Sequence, residues 1–298
     1  MVIINDVGPR DGLQSQDKIL SNDDRVRLIR AIAEAGINNV EVGAFVSPKA
    51  VPAMAATDQV LSQLDDLSDV TQTVLIPNQR GYELAKAAGA KRVAMVLYAT
   101  DGMSIKNVNM TAAESETSAQ SICALAAQDG ISVAVYIAVS FGCPFDGSVE
   151  PAHVANLVSK YYDYGVDQIV LADTIGAANP KQVAETVEPI IAKHGDQKIA
   201  CHFHDTRAMG LANVYAAYTA GVKQFDASIG GLGGCPFAPG ATGNVATEDV
   251  VMMFAQMGVE TGVDLEALLK ASDLAIELTG TTKGGRSRPW LDRQYKHS

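Results

Sequence analysis

Short β-branched runs alternate along the chain with longer Ala- and Leu-rich segments, the pattern of strands and helices taken in turn in a parallel α/β protein. Strands are expected near residues 2–8, 38–46, 70–77, 92–99, 132–139, 167–173, 199–204 and 224–229, each followed by a helix. Helix starts are legible. Ser21-Asn22-Asp23-Asp24 precedes the apolar Val26-Arg27-Leu28-Ile29, and Asn179-Pro180 puts proline at a first helical position. The ends are legible too, because Gly36, Gly89, Gly130, Gly165 and Gly221 each fall where a helix terminus needs a positive φ. Eight such units fit a closed (β/α)8 TIM barrel of the α/β class better than the alternative, a doubly wound open sheet. The eighth helix is expected over roughly 245–258, an additional C-terminal helical segment runs from Asp264 to Leu278, and the tail from Gly280 reads as polar. The chain is thus read as one barrel domain, 1–298, with 260–298 as a flanking extension.

The length of 298 residues is long for an ordinary domain and normal for one barrel. With 47% hydrophobic and 19% charged residues the chain can bury a large core, and 6% aromatic content with 26 glycines suits a tightly packed Ala/Val/Ile interior joined by short loops. The net charge of -11 repels polyanions, so a nucleic-acid partner is disfavoured. A small anionic ligand is not, since it responds to nearby donors more than to distant charge. No apolar run approaches the roughly 20 residues of a bilayer span, so no membrane partner is expected. The chain opens directly on Val2-Ile3-Ile4 with no basic leader, and the expected location is cytoplasmic. Cys123, Cys143, Cys201 and Cys235 are scattered, form no C-x-x-C pair and are expected as free thiols.

Barrel chemistry sits at the C-terminal ends of the strands, and polar residues collect there. His202 and His204 are two apart, so on one strand they face the same way, into the barrel. An H-x-H pair alone is as readily two hydrogen-bonded interior histidines as a metal site. With Asp11 at the end of the first strand, the pair can form a mixed N/O site for Mg2+, Mn2+ or Zn2+. Arg10 and Asp11 alone would read as a structural ion pair. Between Gly8-Pro9 and Gly12, however, a rigid turn would aim a permanently charged guanidinium into a cavity as an oxyanion donor. Glu41, at the end of the second strand, needs a buried partner and is expected to orient Arg10 first and to transfer protons second. Asp173 ends the sixth strand. Cys235 follows a glycine-rich run that can approach a ligand and close over it, and its thiol either exchanges a proton or merely packs. His153, His194 and His297 read as surface or capping residues.

Together these segments resemble the 3-hydroxy-3-methylglutaryl-CoA lyase family, part of a barrel superfamily that includes isopropylmalate synthase. The likeness runs nearly end to end. It is carried by Val7-Gly8-Pro9-Arg10-Asp11-Gly12-Leu13-Gln14, Phe45-Val46-Ser47-Pro48-Lys49, Gly142-Cys143-Pro144, Asp173-Thr174-Ile175-Gly176, His202-Phe203-His204-Asp205-Thr206 and the stretch from Gly230 to Asp249. The histidine pair is common to the superfamily, whereas GPRDGLQ with GLGGCP marks the lyase branch. The resemblance implies metal ligation by Asp11, His202, His204 and Asn244, and active-site positions for Arg10, Glu41, Asp173 and Cys235. It implies Mg2+- or Mn2+-dependent retro-Claisen cleavage of 3-hydroxy-3-methylglutaryl-CoA to acetyl-CoA and acetoacetate, usually in leucine breakdown. CoA would enter as part of the substrate and leave as part of a product.

Gly43-Ala44 stands where the family often has small hydroxyl residues, Ala172 where it often has Gly, and Lys18 lies one residue later than a family lysine. These departures leave open a lyase for another 3-hydroxy-dicarboxylyl-CoA, such as citramalyl-CoA or a longer 3-substituted glutaryl-CoA. A condensing synthase is disfavoured because Gly234-Cys235-Pro236 replaces a Gly-Glu-Arg sequence usual in those relatives. A non-catalytic acyl-CoA-binding barrel would have little reason to keep the whole set of polar residues. Barrel enzymes commonly pair through their outer helices, so a homodimer is a further expectation.

Overall fold

The computed structural model describes residues 1–234 and 243–295. Eight parallel strands close into a barrel in the order β1 to β8, with β1 paired to both β2 and β8. They are β1 (Ile3–Asp6), β2 (Asn39–Ala44), β3 (Thr71–Leu75), β4 (Arg92–Tyr98), β5 (Ser132–Ala138), β6 (Gln168–Asp173), β7 (Ile199–Phe203) and β8 (Gln224–Ala227). The TIM barrel expected from the eightfold alternation is the fold found. The helices are α1 (Asn22–Glu34), α2 (Thr57–Ser62), α3 (Gln79–Ala87), α4 (Asp101–Val108), α5 (Ala112–Asp129), α6 (Pro151–Asp163), α7 (Pro180–His194), α8 (Gly210–Thr219), α9 (Thr247–Gln256), α10 (Leu265–Thr279) and α11 (Arg288–Tyr295). Among the described residues no helix is long and apolar enough to cross a membrane.

Local signals act as the sequence suggests. Ser21 caps α1 by accepting from the Asp24 amide, and Asn179 caps α7 by accepting from the Gln182 amide. Along β7, Ile199, Cys201 and Phe203 join the large apolar layer between sheet and helices. Ala200 joins Ala94, Ala134, Tyr136 and Val170 in a separate cluster inside the barrel. Period-two alternation therefore turns His202 inward with Ala200.

Polar side chains close the opposite, N-terminal end of the barrel. Arg92 donates to Ser132 Oγ at 3.1 Å and to Gln168 Oε1 at 2.7 Å, and Gln168 Nε2 passes the chain on to Gln224 Oε1 at 2.7 Å. Each of these half-buried polar groups finds a partner on another strand, which ties the bottom of the barrel together.

Three local departures bear on the site. The first strand stops at Asp6 rather than continuing to residue 8, and Gly8–Gly12 winds into a π-helical turn in which the Arg10, Asp11 and Gly12 amides all point at Val7 O. Such turns are rare and concentrate at functional sites. One helix was expected after β4 and two are found. Asn109, left-handed at φ 57°, ends α4, and a Thr111–Glu114 capping box starts α5. The tail read as merely polar forms α11, anchored by the buried Arg288, which pairs with Asp273 and Asp292. Just before it, the Gly285 amide donates to Glu248 and the Arg286 and Ser287 amides to Asp249.

Asp6 ties the top of β1 to the segment after β8. Its Oδ1 accepts from the Gly8 and Ile229 amides and its Oδ2 from Thr247 Oγ1 at 2.7 Å. Burial outweighs these bonds and pushes its pKa from 3.8 up to about 7. The native state thus holds the Asp6 proton more tightly than the unfolded chain does. The stability this group contributes is present below the unfolded pKa and is lost as pH rises through about 7. In chemical denaturation at pH 5 and pH 8, the deficit of Asp6→Asn relative to wild type should shrink by about 2 kcal/mol at the higher pH. A deficit independent of pH would contradict this placement of Asp6.

Candidate active site

The π-helical turn brings Arg10 and Asp11 to the mouth of the barrel. Arg10, 6% exposed, donates from Nη1 to Asp11 Oδ1 at 2.9 Å and pairs through Nη2 with Glu41 Oε2 at 2.6 Å. Glu41 sits on β2 beside a register shift between Glu41 and Gly43, and it is fully buried. Burial drives the Glu41 pKa up to about 7 despite Arg10, with the negative charges of Asp11 and Asp226 adding to the rise. Burial would raise Asp11 as well, but Arg10, His202 and His204 outweigh it and hold this carboxyl below its ordinary range. Two carboxylates beside one guanidinium are therefore driven apart in proton affinity.

The two histidines differ likewise. His202 faces Asp226, its register partner on β8, with Nδ1 at 3.0 Å from Asp226 Oδ2. Burial opposes its protonation, yet the bond to Asp226 wins and its pKa is raised. Among the described residues His204 has no such partner, and burial plus the charge of His202 lower it to about 4, so it is neutral near pH 7. Asp226 is fixed in turn by Asn5 Nδ2 at 2.8 Å, and Tyr136 also bonds to it. Asn5, Asp226 and His202 form one inward row because the β1–β8 and β8–β7 registers align them. Asp226 is the residue of this cluster that sequence reasoning missed; its signal was an acidic residue between Phe225 and Ala227 in a short strand.

Asn244 reaches the group because the chain doubles back. Residues 243–246 bridge His204 on one side and Ser228 on the other. A side chain at Gly243 would place its Cβ 2.5 Å from Gly231 O, so only glycine lets the two segments meet. Asn244 Nδ2 donates to Asp11 Oδ2 at 2.8 Å and to Leu232 O at 3.0 Å, leaving its Oδ1 buried without a partner among the described residues.

These residues open on a cavity of about 300 Å³ whose walls include Arg10, Asp11, Tyr136, Thr174, His202 and His204. Asp173 does not line it. Its carboxylate accepts from the Ala177 and Ala178 amides, burial raises its pKa to about 6, and it shapes the loop after β6 from behind. Of the three departures noted in the sequence, only Ala172 lines the cavity; Gly43 packs against Thr57 and Arg25 away from it. Cys235 lies outside the described residues, directly after the cavity-lining Gly234. His153 contacts Ala99 O and His194 stacks on Tyr162, both away from the cavity, while His297 lies outside the described residues.

The model of the HMGL-like family matches residues 1–275. This chain belongs to the HMGL-like family. It is 44% identical over 282 residues to the (R)-citramalyl-CoA lyase of Chloroflexus aurantiacus, covering 91% of this chain and 89% of that one. It is 42% identical over 286 residues to the hydroxymethylglutaryl-CoA lyase of Pseudomonas mevalonii, covering 96% and 95%. Among solved structures, hydroxymethylglutaryl-CoA lyase from Pseudomonas aeruginosa superposes with a TM-score of 0.95 at 37% identity, covering 98% of each chain.

In this HMGL-like barrel, ligand atoms of Asp11, His202 and His204 lie within 4.8 Å of one another, a mixed N/O set that can hold a divalent cation. The buried Asn244 Oδ1, which has no partner among the described residues, offers a fourth oxygen. With Nδ1 engaged by Asp226, His202 has Nε2 left to ligate. Asp226→Asn should weaken Mn2+ binding, measured by calorimetry, by roughly 10- to 100-fold. Unchanged affinity would show that Asp226 has no part in orienting His202.

Proposed function

We propose that the chain cleaves 3-hydroxy-3-methylglutaryl-CoA into acetyl-CoA and acetoacetate, with Mg2+ or Mn2+ held by Asp11, His202, His204 and Asn244. The observation that carries this reading is Arg10, a cation clamped between two carboxylates in the same cavity as an N/O ligand set. Cleavage beside a tertiary alcohol needs one group to take the hydroxyl proton and another to stabilise the departing enolate. The cation, when bound, acts as a Lewis acid on the substrate oxygens and lowers the hydroxyl pKa.

The protein residues divide the remaining work. Asp11 is the carboxylate of the pair that reaches the cavity, so it is the group placed to accept the hydroxyl proton. Glu41, closed off beneath the guanidinium, orients Arg10. Arg10 aims a permanent charge at the thioester oxygen, where enolate charge develops. Cys235, one residue beyond Gly234, is assigned the proton that quenches the enolate carbon, on the strength of its motif. Asp173 is assigned a positioning role for the β6 loop.

The likeness to a citramalyl-CoA lyase supports a second reading on the same residues. Citramalyl-CoA carries its carboxylate one methylene nearer the carbinol carbon, so discrimination depends on the distance from the ligand set to the far cavity wall. The test is acetyl-CoA release from both thioesters by metal-stripped protein, with and without Mg2+ or Mn2+. Metal-dependent cleavage favouring the hydroxymethylglutaryl ester is expected. Preference for citramalyl-CoA would establish the second reading, and no turnover of either would overturn both. Arg10→Met should lower kcat by roughly 10²- to 10³-fold, because the lost interaction is made to the transition state.

A further inference from the structure

Beside the catalytic cavity lies a second, apolar recess of about 110 Å³ between the tops of β3 and β4 and the α4–α5 pair. The two spaces share Leu75, Val96, Tyr98 and Asn107 as walls. Beyond that partition the recess is lined mainly by apolar side chains, Met95, Leu97, Ala119 and Ile122 among them, with Ser115 and Ser118 as its polar residues. The Ser115 hydroxyl on its wall is already paired with Ser104 Oγ at 3.2 Å, so it does not call for a polar ligand.

A polar contact links the two sides of the partition. Tyr98 is 2% exposed, and its hydroxyl accepts from Asn107 Nδ2 at 2.7 Å. Asn107 belongs to α4, a helix of only eight residues that ends two positions later in the left-handed Asn109. A small shift of α4 would carry Asn107 away and merge the two spaces without disturbing a barrel strand.

The geometry points to this recess as the subsite for the apolar 3-substituent of the substrate, so that acyl chains longer than methyl at C3 are accepted behind the Tyr98–Asn107 gate. This rests on the lyase reading above. The carbinol carbon of such a substrate carries a hydroxyl, a carboxylate arm, a thioester arm and one alkyl branch. The first three need polar partners or an exit to solvent, whereas the branch alone gains from a dry apolar wall. A dry cavity of 150 Å³ holds a benzene molecule, so a recess of this size suits roughly four carbons.

The test compares kcat/KM for the 3-methyl, 3-ethyl and 3-butyl homologues of 3-hydroxyglutaryl-CoA in wild type and in Ala119→Leu, which fills the recess from α5. Burial gains roughly fourfold per methylene. The wild type should therefore cleave the butyl homologue at least as efficiently as the methyl one. Ala119→Leu should lower butyl cleavage at least tenfold and change methyl cleavage less than twofold. Ala119→Val, a smaller change that guards against misfolding of the first variant, should show the same order at lower amplitude.

Methyl cleavage without butyl cleavage in the wild type would overturn the subsite while leaving the lyase reading intact. Failure with every homologue would overturn both. The other candidate occupant is the pantetheine arm. If Ala119→Leu impairs the methyl CoA ester but not the matching N-acetylcysteamine thioester, that arm occupies the recess and the inference is wrong.

Discussion

A guanidinium without water around it must be neutralised by what surrounds it, and at Arg10 that means Glu41 on one side and Asp11 on the other. Removing one partner of such a buried set commonly costs about 3–5 kcal/mol, because an uncompensated charge stays behind. The arrangement does more than balance charge. Glu41 is pushed up to about 7 by burial, while Asp11, nearer the histidines, is held low. The same contact thus orients a cation toward the cavity, keeps one carboxylate ionised at its edge and leaves the other close to its titration point.

The rest of the fold serves to hold that contact still. The π-helical turn sets Arg10 and Asp11 side by side above β1, and Asp6 just below it bonds to the segment after β8 and to α9. Asp226 repeats the logic for His202, with Asn5 behind it. Glu248 holds the Gly230 amide from the other side and receives bonds from Ser272 and Gly285. The glycine-rich segment leading to residue 234 is therefore anchored at its base by buried carboxylates as well as by the apolar packing of Ile229 and Leu232. Buried carboxylates cost desolvation energy, and that cost is offset only while every bond is in place, which makes this end of the barrel sensitive to small changes.

Much of this was legible in the residues because it depends on short-range periodicity. Two histidines two apart on a strand share a face whatever the fold, and Arg10 beside Gly and Pro announces a fixed turn. The pairing of Glu41 with Arg10 was legible because a buried carboxylate at a strand end needs a cation and the neighbouring strand offered one. Asp226 was not, since its meeting with His202 depends on the register between β7 and β8, which no local pattern encodes. Asn244 entered through resemblance alone; its reach to Asp11 requires the chain to turn back against His204. The helices α4 and α11 escaped notice for a related reason. Both are short and polar, and both are stabilised by contacts distant in sequence, Gly102 with Asp146 and Arg288 with Asp273.

Two imidazoles and the Asp11 carboxylate, whose ligand atoms lie within 4.8 Å of one another, are proposed to converge on one cation inside the barrel mouth. Pulsed electron paramagnetic resonance of the Mn2+-loaded protein tests this convergence directly, by counting the nitrogen nuclei coupled to the metal. Two histidine nitrogens should be seen in the wild type and one in His204→Ala. Manganese coupled to no histidine nitrogen, or a signal unchanged by that substitution, would contradict the account.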